Sequence, residues 1–249
     1  MNIRMTVLTA LAGLLLVPAG CAAEITVLSA GAIEPGLKAA VTAYQKASGD
    51  AVKISFATAP QIQKRLEGSE TWDVLIAPPA ILEGYAKSGK VGAESVALGR
   101  VGMGVAVRPG ADLPDISSAE ALKRAILNAE SIVFNRASTG LYFEKVLKQM
   151  GISAEVEGKT TRYADGAAVM EHVLKGHGRE IGFGPITEIL LQREKGLRLV
   201  GPFPAEVQNY TAYSASLMSS AAQRAAARNL VEYLGSPAGK AIFVAAGVE

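Results

Sequence analysis

Apolar positions in this chain fall into short continuous runs that alternate with stretches at helical spacing, and the alternation starts at Glu24. Ile25 to Leu28 reads as a short buried strand. It leads through the small residues Ser29 to Ala32 into a helix with Pro35 in its first turn, where the missing N–H had no partner anyway. Apolar residues from Leu37 to Ala47 keep helical spacing until Gly49, a C-terminal stop. Val52 to Phe56 is the next strand, and Ala57-Thr58-Ala59-Pro60 again forms a small-residue turn before a helix, Gln61 to Glu67. A third strand, Asp73 to Ala77, ends at Pro78-Pro79 and precedes a helix from Ile81 to Lys87. Val101 to Val107 is strongly apolar and is halted by Arg108-Pro109-Gly110.

A second, similar series follows. Ser118 caps a helix to about Ala129, Ser131 to Phe134 is a strand, and Asn135 to Gly140 opens a helix that ends at Gly151. Asp165 caps a helix through Leu174, Ile181 to Phe183 is a short strand, and Ile186 to Arg193 is another helix. Leu197 to Val200 and Thr211 to Leu217 read as strands; Ser220 to Leu234 and Pro237 to Ala245 are closing helices, the second capped by Ser236. Two such series predict an α/β fold of two lobes, each a mostly parallel sheet with flanking helices. The division expected is residues 24–98 for the first lobe, 99–209 for the second and 210–249 for a return to the first, with hinge crossings near Leu98 to Val101 and Pro204 to Tyr210.

The stretch before Glu24 has a different pattern. Arg4 is its only charge, Met5 to Val17 is apolar but too short to span a bilayer, and Cys21-Ala22-Ala23 offers small residues for cleavage. Residues 1–23 therefore read as an export signal, which places the mature chain in the periplasm. Cys21 behind Ala19-Gly20 also fits a lipid-attachment site, but Pro18 stands where a branched aliphatic residue belongs, so soluble release is the expectation.

Composition then removes several function classes. The chain has 249 residues, 49% of them apolar, enough for one large core or two smaller ones. Its formal net charge is +2 and the basic residues are dispersed, which argues against a nucleic-acid stripe or a polybasic membrane patch. One cysteine allows neither an intrachain disulfide nor a multi-cysteine metal site. The two histidines, His172 and His177, are five apart and do not share a helix face as a zinc pair requires. Gly182-Phe183-Gly184-Pro185 lacks the third glycine of a dinucleotide fingerprint. No metal, no cofactor and a monomeric chain are the expectations.

What remains is the placement of three turns. Ser29 to Ala32, Thr58 to Pro60 and Ser138 to Gly140 each lie between the end of a strand and the start of a helix. N–H groups and the helix dipole point out of such turns, and in open α/β sheets ligands lie beyond the carboxyl ends of strands. Three turns facing one cleft would make a polar cradle for a small anion.

The order Ile25-Thr26-Val27-Leu28-Ser29-Ala30-Gly31-Ala32, Phe56-Ala57-Thr58, Trp72-Asp73-Val74-Leu75-Ile76-Ala77, Ser138-Thr139-Gly140-Leu141-Tyr142 and Ile181-Gly182-Phe183-Gly184-Pro185-Ile186-Thr187-Glu188 resembles the type II periplasmic solute-binding proteins, and within them the molybdate-binding branch of ABC transporter receptors. The resemblance covers essentially the whole chain after the leader. It implies a two-lobed receptor that closes on an oxyanion and delivers it to a membrane permease. It also implies a site of neutral donors: serine hydroxyls from the first two turns, with main-chain N–H groups and a tyrosine from the second lobe. Here Ala32 stands where the first-turn serine aligns, Thr58 is followed by Ala59 and Pro60, and Gly184 and Pro185 fall near the tyrosine position.

A buried dianion needs several aimed donors, because each one lost costs ~1.5 to 3 kcal/mol. The candidate ligand-binding set is therefore Ser29, Ala30, Gly31, Ala32, Thr58, Arg65, Arg136, Ser138, Thr139 and Gly140. An arginine fork at Arg65 or Arg136 would suit a planar carboxylate and so admits an organic acid as ligand. That opens a second class, since aconitate isomerases belong to the same branch and share a Val27-Leu28-Ser29-like opening. An isomerase of a tricarboxylate needs a base beside the reacting carbon, and Glu34 and Tyr163 are its candidates.

Overall fold

The computed structural model describes residues 23–68 and 70–249; the leader, with Arg4, Met5 to Val17 and Cys21, lies outside them. Strand β1 (Glu24–Ala30) passes through a 3-10 turn (Gly31–Ile33) into α1 (Glu34–Ser48), which ends on Gly49 in the left-handed conformation at φ 81°. β2 (Ala51–Ala57), α2 (Ala59–Glu67), β3 (Val74–Ala77) and α3 (Pro79–Lys87) follow, each helix with a proline in its first turn. β4 (Val96–Val107) begins five residues before the apolar run at Val101, because its first part is a stretch of mixed burial paired with the chain's last strand.

The second series contains α4 (Ala119–Asn128), β5 (Ser131–Asn135), α5 (Ser138–Gln149), α6 (Ser153–Val156), β6 (Thr160–Tyr163), α7 (Gly166–Lys175), β7 (Glu180–Pro185), α8 (Ile186–Leu191) and β8 (Arg198–Pro202). β9 (Tyr210–Leu217), α9 (Arg224–Gly235) and α10 (Pro237–Ala245) close the chain. The expected caps are formed: the side chains of Ser118, Asp165 and Ser236 accept from the N–H groups of Ala121, Ala168 and Gly239. α9 starts at Arg224 rather than Ser220, because Ala221 turns back onto Met218 and the N–H of Gln223 is taken by Asp73. The sequence pattern gave no sign of α6 or β6, whose Thr-Thr-Arg-Tyr carries no apolar run.

The strands pair in the order β2-β1-β3-β9-β4-β7-β5-β6, with β8 also on β4. Parallel pairs lie toward both edges, β2-β1-β3 and β7-β5-β6, as the β/α repeats dictate. The middle is antiparallel, since β4 leaves the first half and β9 returns to it, which makes the sheet mixed. One core gathers residues from Ile25 to Val101 and again from Tyr213 to Val248. Two others, on opposite faces of the second half-sheet, gather residues between Met103 and Phe203. The fold is thus a curled α/β sheet in two lobes, with β4 paired to β9 as far as Gly102 and to β7 and β8 beyond it. Among the described residues no helix is long and apolar enough to cross a membrane.

Candidate functional site

A cavity of about 230 Å³ opens where turns from the two lobes meet. The turn after β1 contributes Ala30, Gly31 and Ala32, and the turn after β2 contributes Thr58 and Ala59. The second lobe supplies Ser138 and Thr139 from the start of α5, Asp165 to Ala167 from the start of α7, and Glu188 from α8. Glu34 of α1, Gln61, Asn135, Gln192 and Tyr213 of β9 complete its polar lining. These turns converge because parallel β/α units put every strand-to-helix connection on the same side of the sheet.

Each turn is built locally before it is used. Thr58 donates its N–H to Gln61 Oε1 at 2.8 Å, one half of a capping box, so the start of α2 is fixed from within. At α5 the organiser is Asn135. Its Oδ1 accepts the N–H groups of Ala137 (2.9 Å) and Gly140 (3.1 Å), and its Nδ2 donates to Thr139 Oγ1 at 3.0 Å. The Thr139 hydroxyl is thereby spent inside the turn. Ser138 and Thr139 nevertheless line the cavity, and first-turn N–H groups of a helix have no acceptor within it.

Not every candidate arrives at the cavity. Ser29 is fully buried and its hydroxyl donates to the carbonyl of Ala30, so it shapes the turn from behind. Gly140 is buried against Asn135, where a Cβ would stand 1.5 Å from the Asn135 carbonyl oxygen, and it serves the turn by having none. The two candidate arginines lie outside the lining. Arg65 donates to Ser55 Oγ (2.7 Å) and Glu70 Oε2 (2.9 Å) and lies over the Trp72 ring, and neither it nor the exposed Arg136 is part of the lining. Tyr163 also lies outside it: its hydroxyl pairs with His172 Nδ1 at 2.7 Å, whose Nε2 meets Glu180 Oε2 at 2.9 Å. Glu34 does line the cavity and is paired with Lys38.

The electrostatics of the site differ from those of an arginine clamp. Among the described residues the lining contains three carboxyls, Glu34, Asp165 and Glu188, and no Lys, Arg or His. Asp165 is occupied as the cap of α7. Glu188 Oε2 is sealed from solvent and has no hydrogen-bond partner among the described residues. Burial first, and then the charges of Asp165 and Glu34, push its pKa up to about 8. Burial also raises the pKa of the Tyr213 phenol, with Glu188 adding to the effect. Asn135, Gln61, Glu188 and Tyr213 were absent from the sequence-based site; Glu188 sits inside the Gly182-to-Glu188 motif, which is the only local signal that could have drawn attention to it.

Comparison with known proteins places this geometry in a family. The profile of the bacterial extracellular solute-binding proteins matches residues 25–249. A protein of Pseudomonas sp. named aconitate isomerase is 33% identical over 228 residues, covering 88% of this chain and 85% of that one. The periplasmic molybdate-binding protein of Azotobacter vinelandii shares the fold at a TM-score of 0.77 and 17% identity, over 90% of this chain and 98% of its own. The sulfate-binding protein SubI of Mycobacterium tuberculosis does so at 0.69 and 14%, over 91% and 86%. The match over nearly all the described residues and the shared two-lobed fold make this chain a member of the bacterial extracellular solute-binding proteins.

Proposed function

We propose that this protein captures a small anion in the cleft between its lobes and hands it to an ABC permease. The observation that carries the reading is the convergence of turns at Gly31, Thr58, Ser138 and Gly166 on one cavity. Neutral hydroxyls and main-chain N–H groups there suit an oxyanion of the molybdate, tungstate or sulfate kind. Bending at the two crossings, within β4 near Gly102 and over residues 203–209, would close residues 99–209 against residues 24–98 and 210–249. Closure excludes water and strengthens each donor contact. Family membership supports export, and the leader-like residues 1–23 support soluble release into the periplasm.

A second reading is isomerisation of a small tricarboxylate, favoured by the 33% identity with the Pseudomonas protein named aconitate isomerase. In that reading Glu34 or Glu188 would be the base, as the two candidate carboxyls of the lining that are not used as a helix cap. A thermal-shift panel separates the two. Mature protein is heated with molybdate, tungstate, sulfate, phosphate, citrate and both aconitate isomers. A ligand at a hundred times its dissociation constant adds about 2.7 kcal/mol, a rise of roughly 5 to 10 °C for a chain of this size. A rise with an oxyanion alone is the expected result. A rise with the aconitates, followed by their interconversion, would replace the receptor by the isomerase, and no rise with any anion would refute both.

A further inference from the structure

Glu188 occupies a place that the capture of an anion alone does not explain. Its carboxyl lies on the seam between the lobes: a Cβ on Gly31, in the first lobe, would stand 3.6 Å from Oε1, and a Cβ on Gly166, in the second, would collide with Oε2 at 1.5 Å. Gly166 therefore leaves room for this group, and Gly31 lies beside it from the opposite jaw. Oε2 is sealed and unpartnered among the described residues, and although α7 begins beside it, no N–H reaches it. A carboxylate left in that state is costly, whereas a carboxylic acid there has a proton to give.

The surrounding charges favour the acid. Asp165, ahead of α7, and Glu34, on α1, both act on Glu188 as like charges, and Tyr213 faces it from β9. Cations on the elements packed against α8 are engaged elsewhere. Lys38 on α1 pairs with Glu34, Lys175 on α7 with Glu171, Arg198 on β8 donates to the Ala111 carbonyl, and Arg100 on β4 pairs with Glu249. His172 of α7 is held between Tyr163 and Glu180, while Arg193 and Lys195, in the turn after α8, are exposed. Among the described residues no three His, Cys, Asp or Glu side chains come together as metal ligands.

We propose that Glu188 is the specificity-determining residue of the cleft: it keeps its proton and donates it, in a hydrogen bond from Oε1, the carboxyl oxygen on the Gly31 side, to an oxygen of a fully deprotonated oxyanion. This rests on the anion-capture reading. The acid form lets a dianion enter a cleft with three carboxyls and no cationic side chain, and it makes binding proton-linked. Below the pKa of Glu188 binding consumes no proton; above it, binding the dianion draws one from solvent, so affinity falls with pH.

The test is isothermal titration of molybdate, tungstate and sulfate into wild type and Glu188→Gln at pH 6.5, 8.0 and 9.5. Gln keeps a donor of the same shape that does not titrate. Wild-type affinity for the bound dianion should fall about tenfold between pH 8.0 and 9.5, while Glu188→Gln stays flat and near the wild-type value at pH 6.5. If the variant does not fold, wild type alone decides: at pH 9.5, two buffers of different ionisation enthalpy should report proton uptake on binding. Affinity independent of pH, no proton uptake, or a folded variant that no longer binds at pH 6.5 would overturn the role of Glu188 and leave the receptor reading standing. Failure of all three dianions would overturn it as well, and the carboxylates in the thermal-shift panel would then show whether anion capture survives.

Discussion

Asp73, just ahead of β3, is 3% exposed, and its two oxygens accept from the N–H and hydroxyl of Thr26 and from the N–H of Gln223. One carboxylate thereby ties β1 to the segment that enters α9. Burial by itself would raise its pKa, but the hydrogen bonds from Gln223 and Thr26 outweigh it and hold the group below the ordinary carboxylate range. Asp73→Ala should cost about 3 kcal/mol in urea melts at pH 7, since it strands buried donors. A group with a lowered folded pKa stabilises above its unfolded value, about 4, and loses that contribution as pH falls through the folded value. The gap between wild type and Asp73→Ala should therefore shrink as the melts are repeated at increasingly acid pH. A gap that holds constant to the acid limit would mean that packing, not charge, carries the effect. Glu188 shows the opposite case, a carboxyl with no donor, kept where its ligand would supply the partner.

Turns are the elements that make the site, and two glycines show how differently they do so. At Gly140 the obstacle to a Cβ is the Asn135 backbone, whereas at Gly166 it is the free end of the Glu188 side chain. Gly140→Ala should lose about 3 kcal/mol or more of stability, because backbone cannot give way cheaply. Gly166→Ala should fold with a melting temperature near wild type and bind anions more weakly, its displaced carboxyl being the only group that must move. Equal melting losses in the two variants would contradict this. The same contrast explains what the sequence disclosed. Caps at Ser118, Asp165 and Ser236, the stop at Gly49 and the turns at Gly31, Thr58 and Ser138 depend on neighbours a few residues away, and a local pattern reveals them. β6 depends on pairing with β5, and its half-buried Thr-Thr-Arg-Tyr has no pattern of its own. Glu188 and Tyr213 enter the cleft because α8 and β9 are folded against it; the motif that ends at Glu188 is a local signal for the first, and nothing around Tyr213 in the chain marks the second. Arg65 and Arg136 show the converse: their chemistry suits an anion, but Trp72, Ser55 and Glu70 hold the first outside the lining and the second is exposed.

At the scale of the whole molecule, a side-chain hydrogen bond spans the two lobes. Thr187, at the start of α8, donates its hydroxyl to the Ala32 carbonyl across the cleft, which brings α8 onto α1 and sets Glu188 over Gly31. Within the second lobe, Tyr142 on α5 donates to the Val207 carbonyl at 3.1 Å and holds the segment that leads back to β9. The crossing inside β4 is clasped by Gln208, whose Oε1 accepts the Met103 N–H (2.9 Å) and whose Nε2 donates to the Met103 carbonyl (3.0 Å). A side-chain amide thus takes the place of a strand neighbour at the point where the partner of β4 changes from β9 to β8. Its consequence is a built-in gauge of breathing between the lobes. The Met103 amide proton is guarded by one rotatable side chain, whereas that of Val105, two residues on, lies in a strand paired on both sides. In native-state deuterium exchange Met103 should report the small, frequent openings and Val105 the rare, large ones. Added ligand should slow Met103 first, and a Met103 amide already as slow as Val105 without ligand would mean that the clasp does not open.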